Sequence, residues 1–235
     1  MTPPLAWLAG VIAVLVCLWG GGGLARWAQV YADRLDAGNA PDARTLWGAA
    51  RSARRLPPRA WRDGLGAACA GAAAAWLLFD QGPGGLTLLP LCLGLGALAW
   101  IDARSGLLPD ALTLPLMLAG WWVGHQGLVT AGFASVAVWS GLMALACLYR
   151  WCRGRDGLGG GDVKCLAALA GWLGLPATLV ILWAASVLGL LWWAFAGRRR
   201  LRAYPFGPCI ALASAPLILC GPDRADRWVT VMFSM

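Results

Sequence analysis

Few residues in this chain can do acid, base or nucleophilic chemistry. All eleven acids are aspartates, Lys164 is the only lysine and His125 the only histidine. Two aspartates stand where an apolar run meets a polar loop. Asp102 closes one run in Trp100-Ile101-Asp102, and Asp162 opens another in Gly159-Gly160-Gly161-Asp162-Val163-Lys164. Ionisable groups at the ends of such runs are costly to keep and read as functional by default. Two carboxylates a few ångströms apart cannot both ionise cheaply, so such a pair holds one proton between them. A pair of this kind can hydrolyse an amide. The ionised member takes a proton from the attacking water, while the protonated member polarises the carbonyl and then donates to the leaving nitrogen. The glycines before Asp162 suit close approach to an extended substrate and φ values closed to other residues. Glycine followed by aspartate is also an ordinary helix start, so capping alone is the competing reading.

The rest of the chain decides what could position the pair. Of 235 residues 60% are hydrophobic and only 13% charged, which excludes an ordinary soluble domain. The net charge of +8, on so apolar a background, points to a membrane with basic loops and no nucleic acid. Residues 1–25 are uncharged and long enough for one span. Residues 64–79 and the stretch up to 101 give one span each, separated by a turn at Gln81-Gly82-Pro83-Gly84-Gly85. The run 111–149 breaks at Gly124-His125-Gln126-Gly127, the run 165–197 near Gly174-Leu175-Pro176, and 203–222 is the last, so the expected architecture is all-α and polytopic with about eight transmembrane helices. All the Lys and Arg except Arg224 and Arg227 fall in alternate loops, which the positive-inside bias puts in the cytoplasm with both termini outside. Asp102 and Asp162 then share the cytoplasmic face.

Other residues have narrower expectations. Asp110, in Pro109-Asp110, reads as a helix cap and as the reserve acid if Asp102 is badly placed. Lys164 either sets the charge of the pair and holds its loop or snorkels to the interface. The eight scattered cysteines show no C-x-x-C spacing and read as small apolar packing residues, without disulfide or metal. Gly94, Ala97 and the alanines between 67 and 75 allow close helix approach, and Trp121, Trp122, Trp192 and Trp193 read as interface anchors or lipid contacts. Asp156 reads as a solvated loop charge, and His125 lies opposite the catalytic face.

Three strings, Ile101-Asp102-Ala103-Arg104-Ser105-Gly106-Leu107-Leu108-Pro109-Asp110-Ala111-Leu112-Thr113-Leu114-Pro115, Gly157-Leu158-Gly159-Gly160-Gly161-Asp162-Val163-Lys164 and Pro205-Phe206-Gly207-Pro208, resemble those of the prepilin leader peptidases, GxGD-type aspartic peptidases of the bacterial inner membrane, over roughly residues 64–222. The resemblance implies an eight-span endopeptidase with Asp102 and Asp162 as the catalytic pair and Gly159, Gly161, Lys164 and Asp110 as supporting residues. It implies substrates that are type IV prepilins or type II secretion pseudopilins, cut after a glycine just before the apolar pilin helix. Many members hold zinc on two C-x-x-C pairs in the first cytoplasmic loop, but residues 26–63 contain no cysteine, so no metal is expected. Many also N-methylate the new terminus with S-adenosylmethionine, an activity tied to an N-terminal stretch that Gly22-Gly23-Leu24-Ala25-Arg26 echoes only faintly. That cofactor is carried here only as an option.

The chain thus divides into residues 1–63, a first transmembrane helix with a basic cytoplasmic loop, and residues 64–235, a membrane-embedded aspartic peptidase domain. The arginines of the loop suit anionic headgroups, while Asp33, Asp36 and Asp42 are the better partners for a basic leader. Two alternatives of other classes are a transporter or channel component with paired intramembrane aspartates, for which broken helices near mid-depth are the mark, and a non-catalytic assembly subunit in which replacing either aspartate is silent.

Overall fold

The computed structural model describes residues 27–35, 37–38, 40, 42–53, 83–124, 126–155, 157–196 and 205–220. Every regular element among them is helical: α1 (27–35), α2 (Ala43–Ala53), α3 (Leu89–Ser105), α4 (Asp110–Val123), α5 (Leu128–Arg153), α6 (Gly160–Leu173), α7 (Leu175–Ala196) and α8 (Gly207–Cys220). The expected spans at 1–25 and 64–79 lie outside the described residues. The Pro83-Gly84-Gly85 turn is itself a helical turn, Pro83–Leu86.

The breaks follow from backbone chemistry. Helix α3 ends at Gly106, whose φ of 64° lets its N–H return to the Asp102 carbonyl at 2.8 Å, and α5 ends the same way at Gly154, φ 65°. The 111–149 and 165–197 runs divide where the sequence breaks them, between α4 and α5 and between α6 and α7.

Helices α3, α4, α5, α7 and α8 form a closed ring of neighbours, and α6 packs against α4, α5 and α7 within it. Every residue of α6 from Cys165 to Trp172 is buried. Small residues make this possible. A Cβ on Gly94 would meet Leu116 at 2.8 Å, and one on Gly120 would meet the Trp172 ring at 2.6 Å. Trp172 fills that space and donates its indole N–H to the Leu116 carbonyl at 2.8 Å.

Among the described residues, two helices are long and apolar enough to cross a membrane, Leu128–Arg153 and Leu175–Phe195. They carry large exposed apolar side chains, Trp151 at 85% and Phe195 at 87%, that water would penalise and lipid accepts. The other four ring and core helices have 14 to 17 residues, shorter than the ~20 of a lipid-exposed span. Inside a bundle, turns at the ends of shorter helices find protein partners that lipid does not provide. Trp122, Trp192 and Trp193 are exposed, but Trp121 turns inward and donates to the Ser135 hydroxyl at 2.9 Å. Cys165 and Cys209 are buried packing residues, whereas Cys147 and Cys152 are exposed on α5.

Helices α1 and α2 form a hairpin from the basic loop. Its Ala28, Tyr31, Leu35 and Ala49 close over Ile101, the residue before Asp102.

Candidate functional site

The end of α3, the α3–α4 loop and the starts of α4, α6 and α8 meet at one end of the bundle. Gly161 abuts Leu108, Lys164 reaches Asp110, and Gly207 reaches Asp102. The opposite end is marked by Gly124 against Gly171 and Gln126 against Gly174.

Asp102, in the last turn of α3, is 5% exposed, and its Oδ2 accepts the Gly207 N–H at 2.7 Å. Gly207 is the first residue of α8, where backbone N–H groups have no partner in their own helix. The α3 carboxylate therefore caps α8, and Pro208, which follows, has no N–H to satisfy. A Cβ on Gly207 would lie 2.9 Å from Asp102 Oδ2, 3.0 Å from its Cβ and 3.1 Å from its Cγ. The string Pro205-Phe206-Gly207-Pro208 by itself assigns Gly207 no role. Its only sequence-level signal was a glycine beside a proline at the head of an apolar run.

Asp162 is in the first turn of α6, and its carboxylate is turned back toward Gly159, the N-cap residue. The Asp102 charge bears directly on Asp162, and both bear on the buried Cys165 thiol one turn further along. The two aspartates therefore belong to one electrostatic cluster, which Cys165 shares.

The expectation about glycine φ needs correction. No residue of Gly159-Gly160-Gly161 has positive φ, and Gly159 sits at −68°, 137°. Space is what requires glycine there. A Cβ on Gly159 would lie 2.9 Å from Asp162 Oδ2, and one on Gly161 would lie 2.8 Å from the Leu108 Cβ and 3.3 Å from the Leu108 carbonyl oxygen. A Cβ on Gly160 would meet nothing within 4 Å. The geometry thus reproduces a G-x-G-D pattern, with the middle position free.

Asp110 is not a side-chain cap. Pro109 holds the N-cap position without a side-chain bond, and Asp110 opens the helix as its first residue. Its carboxylate instead takes Lys164 Nζ on both oxygens, at 2.7 and 2.6 Å. Of the two readings of Lys164, the structure favours holding the loop: the pair ties the first turn of α6 to that of α4. Asp33 lies 4.0 Å from Arg104, whose guanidinium stacks over Trp100. Asp42 caps α2 by accepting the Thr45 N–H at 2.8 Å, and that bond holds its carboxyl below the usual range. Both carboxylates remain exposed. Asp36, His125 and Asp156 lie outside the described residues.

A concavity on the hairpin is lined by Arg44, Trp47, Gly48 and Arg51.

Comparison with known proteins gives matches along the same stretch. The profile of the type IV leader peptidase family matches residues 89–194. A prepilin leader peptidase/N-methyltransferase of Xanthomonas campestris pv. campestris is 35% identical over 173 residues, covering 67% of this chain and 57% of the relative. One of Burkholderia pseudomallei is 37% identical over 158 residues, covering 64% and 51%, and one of Dichelobacter nodosus is 31% identical over 202 residues, covering 73% and 68%. The chain thus spans little more than half of the first two relatives. No solved structure matches.

Proposed function

Because the chain belongs to the type IV leader peptidase family, we propose that it is a membrane aspartic endopeptidase in which Asp102 and Asp162 are the catalytic pair. The observation that carries the reading is their convergence: two aspartates from helices far apart in the chain reach one end of the bundle, Asp102 held there by the Gly207 N–H, close enough for the charge of one to act on the other. One ionised and one protonated carboxylate divide the work. The first takes the proton of the attacking water; the second donates to the carbonyl oxygen and then to the leaving nitrogen. Gly159 and Gly161 leave room for the Asp162 carboxylate and for Leu108, and Lys164 with Asp110 holds the α6 start against the α4 start.

The substrates in this reading are type IV prepilins or type II secretion pseudopilins, losing their leader at the cytoplasmic face of the bacterial inner membrane. Arg104, Arg150, Arg153 and Lys164 lie at the Asp102–Asp162 end, the end that the positive-inside bias assigns to the cytoplasm. The two spans from 1–25 and 64–79 would complete an eight-helix architecture. N-methylation of the new terminus belongs to the names of the relatives and is read in the same experiment. The transporter alternative wants broken helices near mid-depth, whereas α3 and α6 are unbroken and their acids lie at their ends.

The test is co-expression with a prepilin or pseudopilin, comparing the unmodified protein with Asp102→Asn and Asp162→Asn and reading the mature terminus by mass spectrometry. Loss of leader removal in both variants at normal membrane levels is expected, and an added methyl mass would assign the second activity. Cleavage by either variant would overturn the pair.

A further inference from the structure

Helix α2 has two faces with different chemistry. Leu46 and Ala49 pack with α1 in the small core that closes over Ile101. Arg44, Trp47 and Arg51, spaced i, i+3 and i+7, form a second stripe that is exposed, Trp47 at 66%. With Gly48 these side chains line the concavity of the hairpin, which measures about 380 Å³. Gly48 is required by space, because a Cβ there would run into the Arg34 guanidinium. Arg34 comes across from α1 and donates to the Ser52 hydroxyl at 2.8 Å. It thus brings a third guanidinium against the wall of a hollow that already holds two and an indole.

The lining selects an occupant by charge. Guanidinium groups offer paired N–H donors that match phosphate oxygens, and among the described residues no acid lines the hollow to compete. Asp42, two residues before Arg44, accepts the Thr45 N–H at the head of α2 and is not part of the lining. The chain that continues from α2 supplies no acid either, since residues 54–62 add Arg54, Arg55, Arg59 and Arg62 and no aspartate. Like charge disfavours that segment as the occupant. An anionic ligand is what the hollow fits.

Depth favours a lipid headgroup over a soluble phosphate. The hairpin sits on Ile101, in the last turn of α3, where the apolar run gives way to the polar loop. An exposed tryptophan between arginines suits the headgroup layer, with its ring toward the acyl chains and its N–H toward water. Trp100 with the Arg104 guanidinium, 5.1 Å from the ring centre, repeats the pairing at the end of α3. A soluble phosphate makes no use of the indole.

We propose that the hollow of Arg44, Trp47, Gly48 and Arg51 binds the phosphate of an anionic phospholipid, with Trp47 against the upper part of its acyl chains. The bound lipid fastens the outer face of the hairpin, while the inner face holds the α3 turn that carries Asp102. Such a site stands whether or not Asp102 and Asp162 are the catalytic pair.

The test is amide hydrogen exchange of α2 in the full chain, in nanodiscs of phosphatidylcholine alone or mixed with phosphatidylglycerol of the same acyl chains. A ligand that binds only the folded hairpin slows exchange by mass action, about tenfold when lipid is in tenfold excess over Kd. Phosphatidylglycerol is expected to slow α2 at least tenfold in the unmodified protein and less than twofold in Arg44→Gln/Arg51→Gln. In phosphatidylcholine alone the two proteins should exchange alike, which shows that the variant hairpin is folded. Arg153→Gln/Arg155→Gln removes the same charge from exposed positions at the end of α5 and should keep the full slowing. Independently of these variants, a photo-crosslinking residue in place of Trp47 is expected to capture phospholipid in membranes. No slowing in the unmodified protein, or equal slowing in Arg44→Gln/Arg51→Gln, overturns the site. Equal slowing by inorganic phosphate in phosphatidylcholine nanodiscs would make it a soluble-phosphate site, and crosslinks to protein without lipid would make it a docking surface; either result overturns the lipid.

Discussion

Gly207→Ala tests the arrangement at its most specific point, because one added methyl group acts on one carboxylate. The new Cβ would lie 2.9 to 3.1 Å from Asp102 Oδ2, Cβ and Cγ, closer than carbon atoms settle at their optimum of about 3.5–4.0 Å. Asp102 is buried, and relief by rotating its carboxylate takes it off the Gly207 N–H. That gives up a charge-assisted hydrogen bond, worth about 1.5–3 kcal/mol, and displaces the reacting oxygen. If the loss appears wholly in the chemical step, kcat falls roughly 10- to 150-fold. KM should hardly move, since the bond does not touch substrate.

The assay is cleavage of a prepilin by purified protein in nanodiscs, with kcat and KM separated and a thermal unfolding midpoint measured on the same sample. Gly160→Ala is the internal control, since its Cβ meets nothing within 4 Å, and should stay within twofold in kcat. Gly159→Ala and Gly161→Ala should both fall, the first through Asp162 Oδ2 and the second through Leu108. A Gly207→Ala protein with wild-type kcat and an unchanged midpoint would refute the claim that this contact places Asp102.

Three further outcomes are expected. Gly120→Ala pushes a Cβ to within 2.6 Å of the Trp172 ring and should cost about 1–3 kcal/mol of stability by overpacking; combining it with Trp172→Phe should recover part of that loss, as read by unfolding in detergent. The Lys164–Asp110 pair is 33% and 50% exposed, so Lys164→Met should lower stability by no more than about 1 kcal/mol and cleavage by no more than about fivefold; a loss beyond a hundredfold would give Lys164 a direct part in the reaction. Because the Asp42 carboxyl is held below its usual range by the Thr45 N–H, its support of α2 is complete above the ordinary carboxylate range and lost as pH falls through its lowered value. Amide exchange at the start of α2 should therefore quicken in acid, and Asp42→Asn, an equally good cap, should abolish that pH dependence.

The sequence was readable wherever the cause was local. Gly124 to Gly127 and Gly174-Leu175-Pro176 break their runs because backbone chemistry alone ends a helix there, and Asp102 and Asp162 fall on one end because the breaks fix the direction of each helix. What depended on distant partners was illegible. The Asp102–Gly207 bond joins residues 105 apart and the Lys164–Asp110 pair residues 54 apart, and no periodicity encodes either. Trp121 looks like Trp122 in sequence, and only the presence of Ser135 across the helix interface turns one inward. The glycines before Asp162 illustrate the limit best. They read as glycines for close approach to an extended substrate and for φ values closed to other residues, but their φ is not positive, and the space beside Gly159 and Gly161 is taken by the Asp162 carboxylate and Leu108, which only the fold reveals.

Capping and catalysis are competing explanations of these aspartates in the sequence, but the geometry removes the conflict. Asp102 takes the N–H of Gly207 at the head of α8, and Asp162 turns back toward Gly159 at the head of its own helix. The Asp102 bond uses an orphan donor that a helix start must satisfy anyway, and it fixes a carboxylate that would otherwise rotate freely about its side-chain bonds. A single backbone bond leaves that carboxylate with accepting capacity for a water or a shared proton. The cap is thus a means of positioning for Asp102. It follows that Asp102→Asn, which can keep the Gly207 bond through its amide oxygen, should leave the fold intact while removing the ionisable group. A variant that unfolds instead would mean that the charge of Asp102, and not merely its oxygen, holds α3 to α8.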